Sequence, residues 1–197
     1  MELSHKIGQK PMIAAVRHLS DAEKALESGV DNLFFMGGNV KDLIHVVRET
    51  SDAGKGAFIH LDLIRGLSST DKESVAFVAE YIGADGIITP KSHLIKEAKK
   101  VGLYSILHFF VLDSLALENS LKLAKTVRPD GIEIMPGIID KVVSRFAEDL
   151  TDIPVIASGL IETKQEISTI LQAGATSLSV SDSNLWSLTF NEVVESD

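Results

Sequence analysis

The sequence predicts an α/β fold, a single-domain (β/α)8 barrel of minimal length, on three observations. Eight short apolar runs, each closing near Gly or a small polar residue, fill the chain from Met12 to Phe190. Amphipathic stretches separate them, as successive βα units around a parallel sheet require. Four helix-to-strand junctions also repeat one device: Ser28-Gly29-Val30-Asp31, Gly83-Ala84-Asp85-Gly86, Pro129-Asp130-Gly131 and Ala173-Gly174-Ala175-Thr176. Three of them place Gly where a helix must stop, because a left-handed backbone carries no Cβ clash there. Stacked solenoid repeats have a similar period, but the leucine-rich and ankyrin consensus residues are missing.

The elements follow in order. The first strand is expected at residues 12–16, and Ser20 with Glu23 has the spacing of a capping box for the helix after it. The second, residues 33–36, leads to a helix that Asn39 can cap. The third, residues 57–61, precedes a second capping-box pair, Thr70 with Glu73. The fourth and fifth are residues 86–89, followed by a Ser92 cap, and residues 105–110. The sixth and seventh are residues 132–135 and 154–158, the latter followed by Thr163 with Glu166. The eighth, residues 177–180, runs into a short terminal helix containing Leu185 and Trp186.

Composition narrows the function classes. No Pro/Ser-rich linker or low-complexity tract divides the 197 residues, so one domain spanning 1–197 is expected. The longest apolar stretches are broken by His60, Asp62 and His108 and are too short to cross a bilayer. The first ten residues are polar and lack an apolar core segment, so no signal peptide is expected. The absence of cysteine excludes disulfides and thiolate catalysis and fits a cytoplasmic location. A net charge of −9 argues against sequence-independent binding of polyanions, which needs many Lys and Arg contacts to phosphate. Any nucleic acid would have to use a local basic patch.

In a barrel the loops after the strand C-termini converge on one mouth. That rule collects Arg17, Met36-Gly37-Gly38-Asn39, His60, Asp62, Lys91, His108, Glu133 and Ser158-Gly159. Period-2 alternation puts His60 and Asp62 on one face of the third strand, and Glu133 with Met135 on one face of the sixth. Polar groups in apolar strands need partners. Arg17, Asp62, Lys91 and Glu133 could neutralise one another, or a ligand could sit on them. Barrels that handle phosphorylated metabolites hold the phosphate between the seventh and eighth βα loops. Ser158, Gly159, Ser179 and Ser181 are the right residue types there, small enough to let backbone approach an anion. With Asp62, Lys91 and Glu133 they form the expected ligand-binding set. His60, Asp62 and Glu133 could in principle coordinate a divalent ion, but such residues occur often in metal-free barrel interiors, and no metal is expected. The remaining histidines form no ligand cluster, and Met36-Gly37-Gly38-Asn39 is too sparse in glycine for a nucleotide loop.

Several segments in order carry a resemblance. Ala14-Ala15-Val16-Arg17, His60-Leu61-Asp62-Leu63-Ile64-Arg65-Gly66-Leu67, Gly86-Ile87-Ile88-Thr89 and Phe109-Phe110-Val111-Leu112-Asp113-Ser114 come first. Pro129-Asp130-Gly131-Ile132-Glu133-Ile134-Met135-Pro136-Gly137, Ala157-Ser158-Gly159-Leu160-Ile161 and Asn184-Leu185-Trp186 follow. Together they resemble the bacterial glycerol uptake operon antiterminator family from about residue 14 to residue 186. The resemblance implies a barrel-fold regulator, not an enzyme and without a cofactor. Its effector would be glycerol 3-phosphate, and the loaded protein would act on the leader mRNA of glycerol-utilisation genes so that transcription passes a terminator. The sequence departs from the family pattern in three places, one of them Lys91, where Arg or Lys appears. His108 stands where the family tends to have Arg, and Ser158 where a Gly-Gly pair is usual.

Two other functions compete with that expectation. An aldolase, isomerase or synthase acting on a small phosphorylated metabolite could use Lys91 as a Schiff base, or Asp62 and Glu133 as acid and base. The D-x-K-x-x-D array of decarboxylase barrels is missing, however. A pure interaction protein would leave the polar mouth unexplained. For RNA, the candidate surface is a basic strip on neighbouring helices made of Lys96, Lys99, Lys100, Lys122, Lys125 and Arg128, extended to the mouth by Arg17 and Arg65; the alternative is an ordinary solvated face, partly neutralised by Glu97 and Glu118. No membrane partner is expected, and self-association stays open.

Overall fold

In the computed structural model, which describes residues 2–194, the eight apolar runs are eight parallel strands. They are β1 (Met12–Val16), β2 (Asn32–Phe35), β3 (Gly56–His60), β4 (Gly86–Thr89), β5 (Tyr104–Phe110), β6 (Gly131–Met135), β7 (Val155–Ser158) and β8 (Ser177–Val180). They pair in sequence order, and β8 pairs back onto β1, closing the barrel. No expected strand end is displaced by more than one residue.

Helices α2 (Ala22–Glu27), α3 (Val40–Asp52), α4 (Lys72–Phe77), α5 (Ser92–Lys100), α6 (Ser114–Val127), α7 (Asp140–Asp149) and α8 (Lys164–Gln172) connect the strands. A first helix, α1 (Leu3–Ile7), precedes the barrel, and α9 (Phe190–Val194) follows it. Asn39 caps α3 by accepting from the Lys41 and Asp42 N–H groups, and Thr163 with Glu166 forms a complete capping box on α8. Three expected caps are different. Ser20 lies in a 3-10 turn ahead of α2 with no side-chain cap. Asp71, one residue after Thr70, caps α4 by accepting from Glu73 N–H at 3.0 Å. Ser92 is already the first residue of α5, whose cap position is held by Lys91 without a side-chain bond. The expected helix around Leu185 and Trp186 is a turn, pinned where the indole N–H donates to the Val180 carbonyl at 2.8 Å.

Helix endings are also partly as expected. Gly83 and Gly174 take φ of 74° and 102°. Before β6, however, the left-handed residue is Arg128 at φ 53°, and Gly29 is not left-handed.

Two apolar cores share the sheet. The larger is the sleeve between strands and helices, reached by residues such as Leu33, Ile59, Ile87, Ile132 and Leu178. The smaller fills the barrel itself with Ile13, Phe34, Phe58, Ile88, Ile106 and Ile156, the Phe34 and Phe58 rings lying 5.4 Å apart. Leu3 and Ile7 of α1 complete this inner core and close the barrel at the N-terminal ends of the strands. The Lys6 ammonium ties the plug to Asp85 at 2.5 Å, and the Asn32 amide donates to the Lys6 carbonyl at 2.9 Å. With that end plugged, the barrel interior opens toward the opposite mouth. Among the described residues no helix is long and apolar enough to cross a membrane.

Candidate functional site

A cavity of about 600 Å³ opens at the C-terminal ends of β7 and β8. Its wall is built from Ser158 on β7 and Ser179 on β8, which lie opposite each other in the parallel register. Both are buried. Ser158 Oγ reaches the Ile134 carbonyl at 3.4 Å, but Ser179 Oγ has no hydrogen-bond partner. A buried hydroxyl without a partner is costly, and this one faces a cavity that a ligand oxygen could enter.

The loop after β7 curls over the cavity through two successive left-handed residues, Gly159 at φ 83° and Leu160 at φ 61°. A branched-stem residue such as Leu pays for this conformation with about 1–3 kcal/mol of strain, a cost that tends to persist at ligand clamps. The shape of that loop is set by the segment after β6. The Met135–Pro136 peptide is cis, and Gly137 lies directly on the end of β7. Its N–H donates to the carbonyls of Ser158 at 2.5 Å and Gly159 at 3.2 Å. Only a residue without Cβ fits, since a Cβ would lie 2.5 Å from the Ser158 nitrogen. The Met-Pro-Gly segment therefore holds the Ser158-Gly159 turn in place.

Of the expected ligand set, Ser158, Gly159, Ser179 and Ser181 line this cavity. Arg17 lines it too and is exposed, so the guanidinium expected to serve RNA stands beside the small-residue loops instead. Glu162 and Asp182 add carboxylates to the rim, that of Asp182 accepting from Asn184 N–H at 2.9 Å.

Asp62, Lys91 and Glu133 do not line the cavity. The period-2 alternation that grouped Asp62 with His60 stops at His60, because the chain enters a 3-10 turn at Leu61–Leu63. Asp62 is exposed there and accepts from Thr89 Oγ1 at 3.0 Å. The same Thr89 oxygen accepts from Lys91 N–H at 3.2 Å, so a threonine that sequence reasoning passed over links the loops after β3 and β4. Lys91 itself is exposed at the rim.

Glu133 is fully buried in the barrel. Of the two readings offered for Arg17, Asp62, Lys91 and Glu133, mutual neutralisation does not form; two histidines face Glu133 instead. Glu133 Oε2 lies 2.6 Å from His108 Nδ1, directly across from it in the β5–β6 register, and 3.4 Å from His60 Nε2. The second contact is an ion-pair distance without hydrogen-bond geometry, and it leaves His60 Nε2 and Glu133 Oε1 unpartnered. Burial pushes the Glu133 carboxyl up. The charge on His60 and the bond from His108 outweigh that and hold it well below the usual carboxylate range. The two imidazoles lie edge to face with centroids 5.7 Å apart, and the exposed Phe110 ring covers His108 at 4.5 Å.

The expected basic strip is present on α5 and α6, but much of it is neutralised. Lys99 donates to the Arg128 carbonyl at 2.5 Å and lies 3.5 Å from Asp130. Lys100 pairs with Glu97, Lys125 with Asp149 and Arg128 with Asp152. Lys96 and Lys122 lie exposed among them. By contrast, among the described residues no ion pair engages Arg17, Arg65 or Lys91, all exposed at the mouth.

Comparison with known proteins places this architecture. The chain is 34% identical to a glycerol uptake operon antiterminator regulatory protein from Listeria monocytogenes, whose crystal structure superposes with a TM-score of 0.84 over 89% of this chain and 94% of that one. It is 32% identical to a glycerol uptake operon antiterminator-related protein from Thermotoga maritima, with a TM-score of 0.80 over 91% and 99% of the two chains. The protein YgcP of Escherichia coli (strain K12), whose name assigns it no function, is 33% identical over 95% of this chain and 97% of its own. The family model described as glycerol-3-phosphate responsive antiterminator matches residues 12–186, from the first residue of β1 to the tryptophan that pins the loop after β8. On its residues and on its barrel alike, the chain belongs to the glycerol-3-phosphate responsive antiterminator family.

Proposed function

We propose that the cavity between the β7 and β8 loops is the effector site, and that glycerol 3-phosphate occupies it with its phosphate against Gly159, Ser179, Ser181 and the Arg17 guanidinium. The observation that carries this reading is the buried, unpartnered Ser179 hydroxyl in the wall of a cavity that also presents an arginine. Backbone N–H groups and small hydroxyls accommodate a dianion at close range, and Arg adds charge-assisted bonds. The loaded protein acts on a leader mRNA. The surface we assign to RNA is the rest of the mouth, where Arg65 and Lys91 are exposed without an ion-pair partner among the described residues and the exposed Phe110 offers a ring on which a base can stack. The paired cations of α5 and α6 are an ordinary solvated face in this reading.

Thermal unfolding tests the effector. At about 100 times its dissociation constant a ligand stabilises by roughly 2.7 kcal/mol, which for a domain of this size raises Tm by about 5–11 °C. Glycerol 3-phosphate should give such a shift and glycerol none. Ser179→Ala and Arg17→Gln should each reduce the shift while leaving the unliganded Tm nearly unchanged. An equal response to glycerol, or an undiminished response in both variants, would overturn the assignment. For RNA, a gel-shift series against salt distinguishes the two surfaces. Arg65→Gln with Lys91→Gln should lower the log-log salt slope by about 1.4, at about 0.7 per phosphate contact. Charge reversal of Lys99 and Lys125 should change it little, and the opposite pattern would return the RNA to the helical strip.

A further inference from the structure

We infer that His60, His108 and Glu133 form a binding site for a divalent transition-metal ion inside the barrel, between β3, β5 and β6. Three strands, β3, β5 and β6, each contribute one ligand side chain, and one ligand atom from each lies within 4.8 Å of the other two. In tetrahedral zinc coordination neighbouring nitrogen and oxygen ligands stand about 3.3 Å apart. The contacts seen, 2.6 Å from His108 Nδ1 and 3.4 Å from His60 Nε2 to the same carboxylate oxygen, bracket that spacing. Small side-chain rotations therefore make room for an ion without moving a strand.

Two further facts point the same way. Buried polar atoms nearly always find partners, yet His60 Nε2 and Glu133 Oε1 have none, and both belong to this cluster. A wholly buried carboxylate also needs a positive countercharge. A proton shared with the imidazoles supplies one charge, and a divalent ion supplies that charge without leaving nitrogen lone pairs or carboxylate oxygens idle. Two imidazoles and one carboxylate suit zinc, iron(II) and their neighbours rather than magnesium or calcium, which take oxygen donors. Three protein ligands leave at least one coordination position for water or a ligand oxygen. His60 and His108 keep 5% and 6% exposure, so the site lies just beneath the mouth and is not sealed in the centre of the barrel.

The site depends on His108. Arginine in its place can pair with Glu133 but cannot ligate a metal, because it does not give up its proton. His108→Arg thus converts the proposed site into a plain ion pair of similar charge balance.

The test uses the full chain after treatment with a chelator, titrated with Zn²⁺ by calorimetry and with Co²⁺ by visible absorption. One Zn²⁺ should bind per chain, and Co²⁺ should give the d–d bands of a nitrogen–oxygen donor set. Imidazole ¹⁵N resonances of His60 and His108 should move on addition of Zn²⁺, while those of His5, His18, His45 and His93 stay in place. In His108→Arg and His60→Gln, affinity should fall at least tenfold and the cobalt bands should disappear. The proposal is overturned if wild-type protein binds no stoichiometric Zn²⁺, if the shifted resonances belong to the other histidines, or if a folded variant binds as wild type does. The wild-type resonances decide the matter even where neither variant folds.

Discussion

Gly137→Ala perturbs the fold and the effector site through a single methyl group. An added Cβ would lie 2.5 Å from the Ser158 nitrogen, and 2.9 Å from both the Ala157 carbonyl carbon and the Ser158 oxygen. All three are backbone atoms of β7 or its carbonyls, so no side chain can rotate away. Overpacking of this kind costs about 1–3 kcal/mol, and rigid neighbours push the value to the upper part of that range. Gly137 is not left-handed, so Ala also gains about 0.4–1 kcal/mol by restricting the unfolded chain. The net loss is about 1–2 kcal/mol, which lowers Tm by about 2–8 °C in a domain of this size. Because the strand must shift at Ser158 and Gly159, the Tm response to glycerol 3-phosphate should shrink as well. Gly54→Ala is the control: its φ of 73° is strained for alanine, but no atom lies within 4 Å of the added Cβ, and it precedes β3 at the closed end. It should lose about 1–2 kcal/mol from the left-handed backbone alone and keep the full effector response. Circular dichroism melts with and without glycerol 3-phosphate measure both. A Gly137→Ala protein with wild-type Tm and wild-type response would refute the claim that the Met-Pro-Gly segment positions the cavity.

Other substitutions address the remaining features. With chelator present, Glu133→Gln should cost about 1–1.5 kcal/mol, the difference between a charge-assisted bond to His108 and a neutral one; a urea midpoint equal to wild type would argue against the buried ion pair. Asp71→Ala should lose about 1 kcal/mol of stability and Thr70→Ala close to none, because Asp71 is the residue that caps α4; the reverse order in urea unfolding would restore Thr70 as the cap. The Glu166 carboxyl is held below its ordinary range by N–H groups of Glu162 and Thr163. A folded-state pKa below the unfolded one stabilises above the unfolded value, about pH 4.3, and is lost as pH falls through the folded value. The urea midpoint of wild type should therefore drop more steeply than that of Glu166→Gln between about pH 5 and pH 3, and parallel curves would remove the linkage.

The barrel was legible in the sequence because its signals are local. Each strand is a short apolar run, each helix an amphipathic one, and β1 through β8 fall within one residue of the runs that announce them. The placement of Ser158, Gly159, Ser179 and Ser181 around one opening also followed from chain order alone, because a closed barrel brings its last two loops together. What the sequence could not supply was which side chains meet across the interior. Alternation carried Asp62 inward with His60, and only the turn at Leu61–Leu63 sends it to the rim. His60, His108 and Glu133 are far apart in sequence, and their meeting is set by the register between β5 and β6 and by closure of the sheet. The partners in charge pairing between neighbouring helices were equally hidden: the sequence offers Glu97 and Glu118 to neutralise the basic strip, but Asp149 and Asp152 engage Lys125 and Arg128 once α6 is packed beside α7 and the turn after it. Secondary structure follows from nearest-neighbour periodicity, whereas partners across a barrel or between helices depend on distances that exist only after the chain has closed.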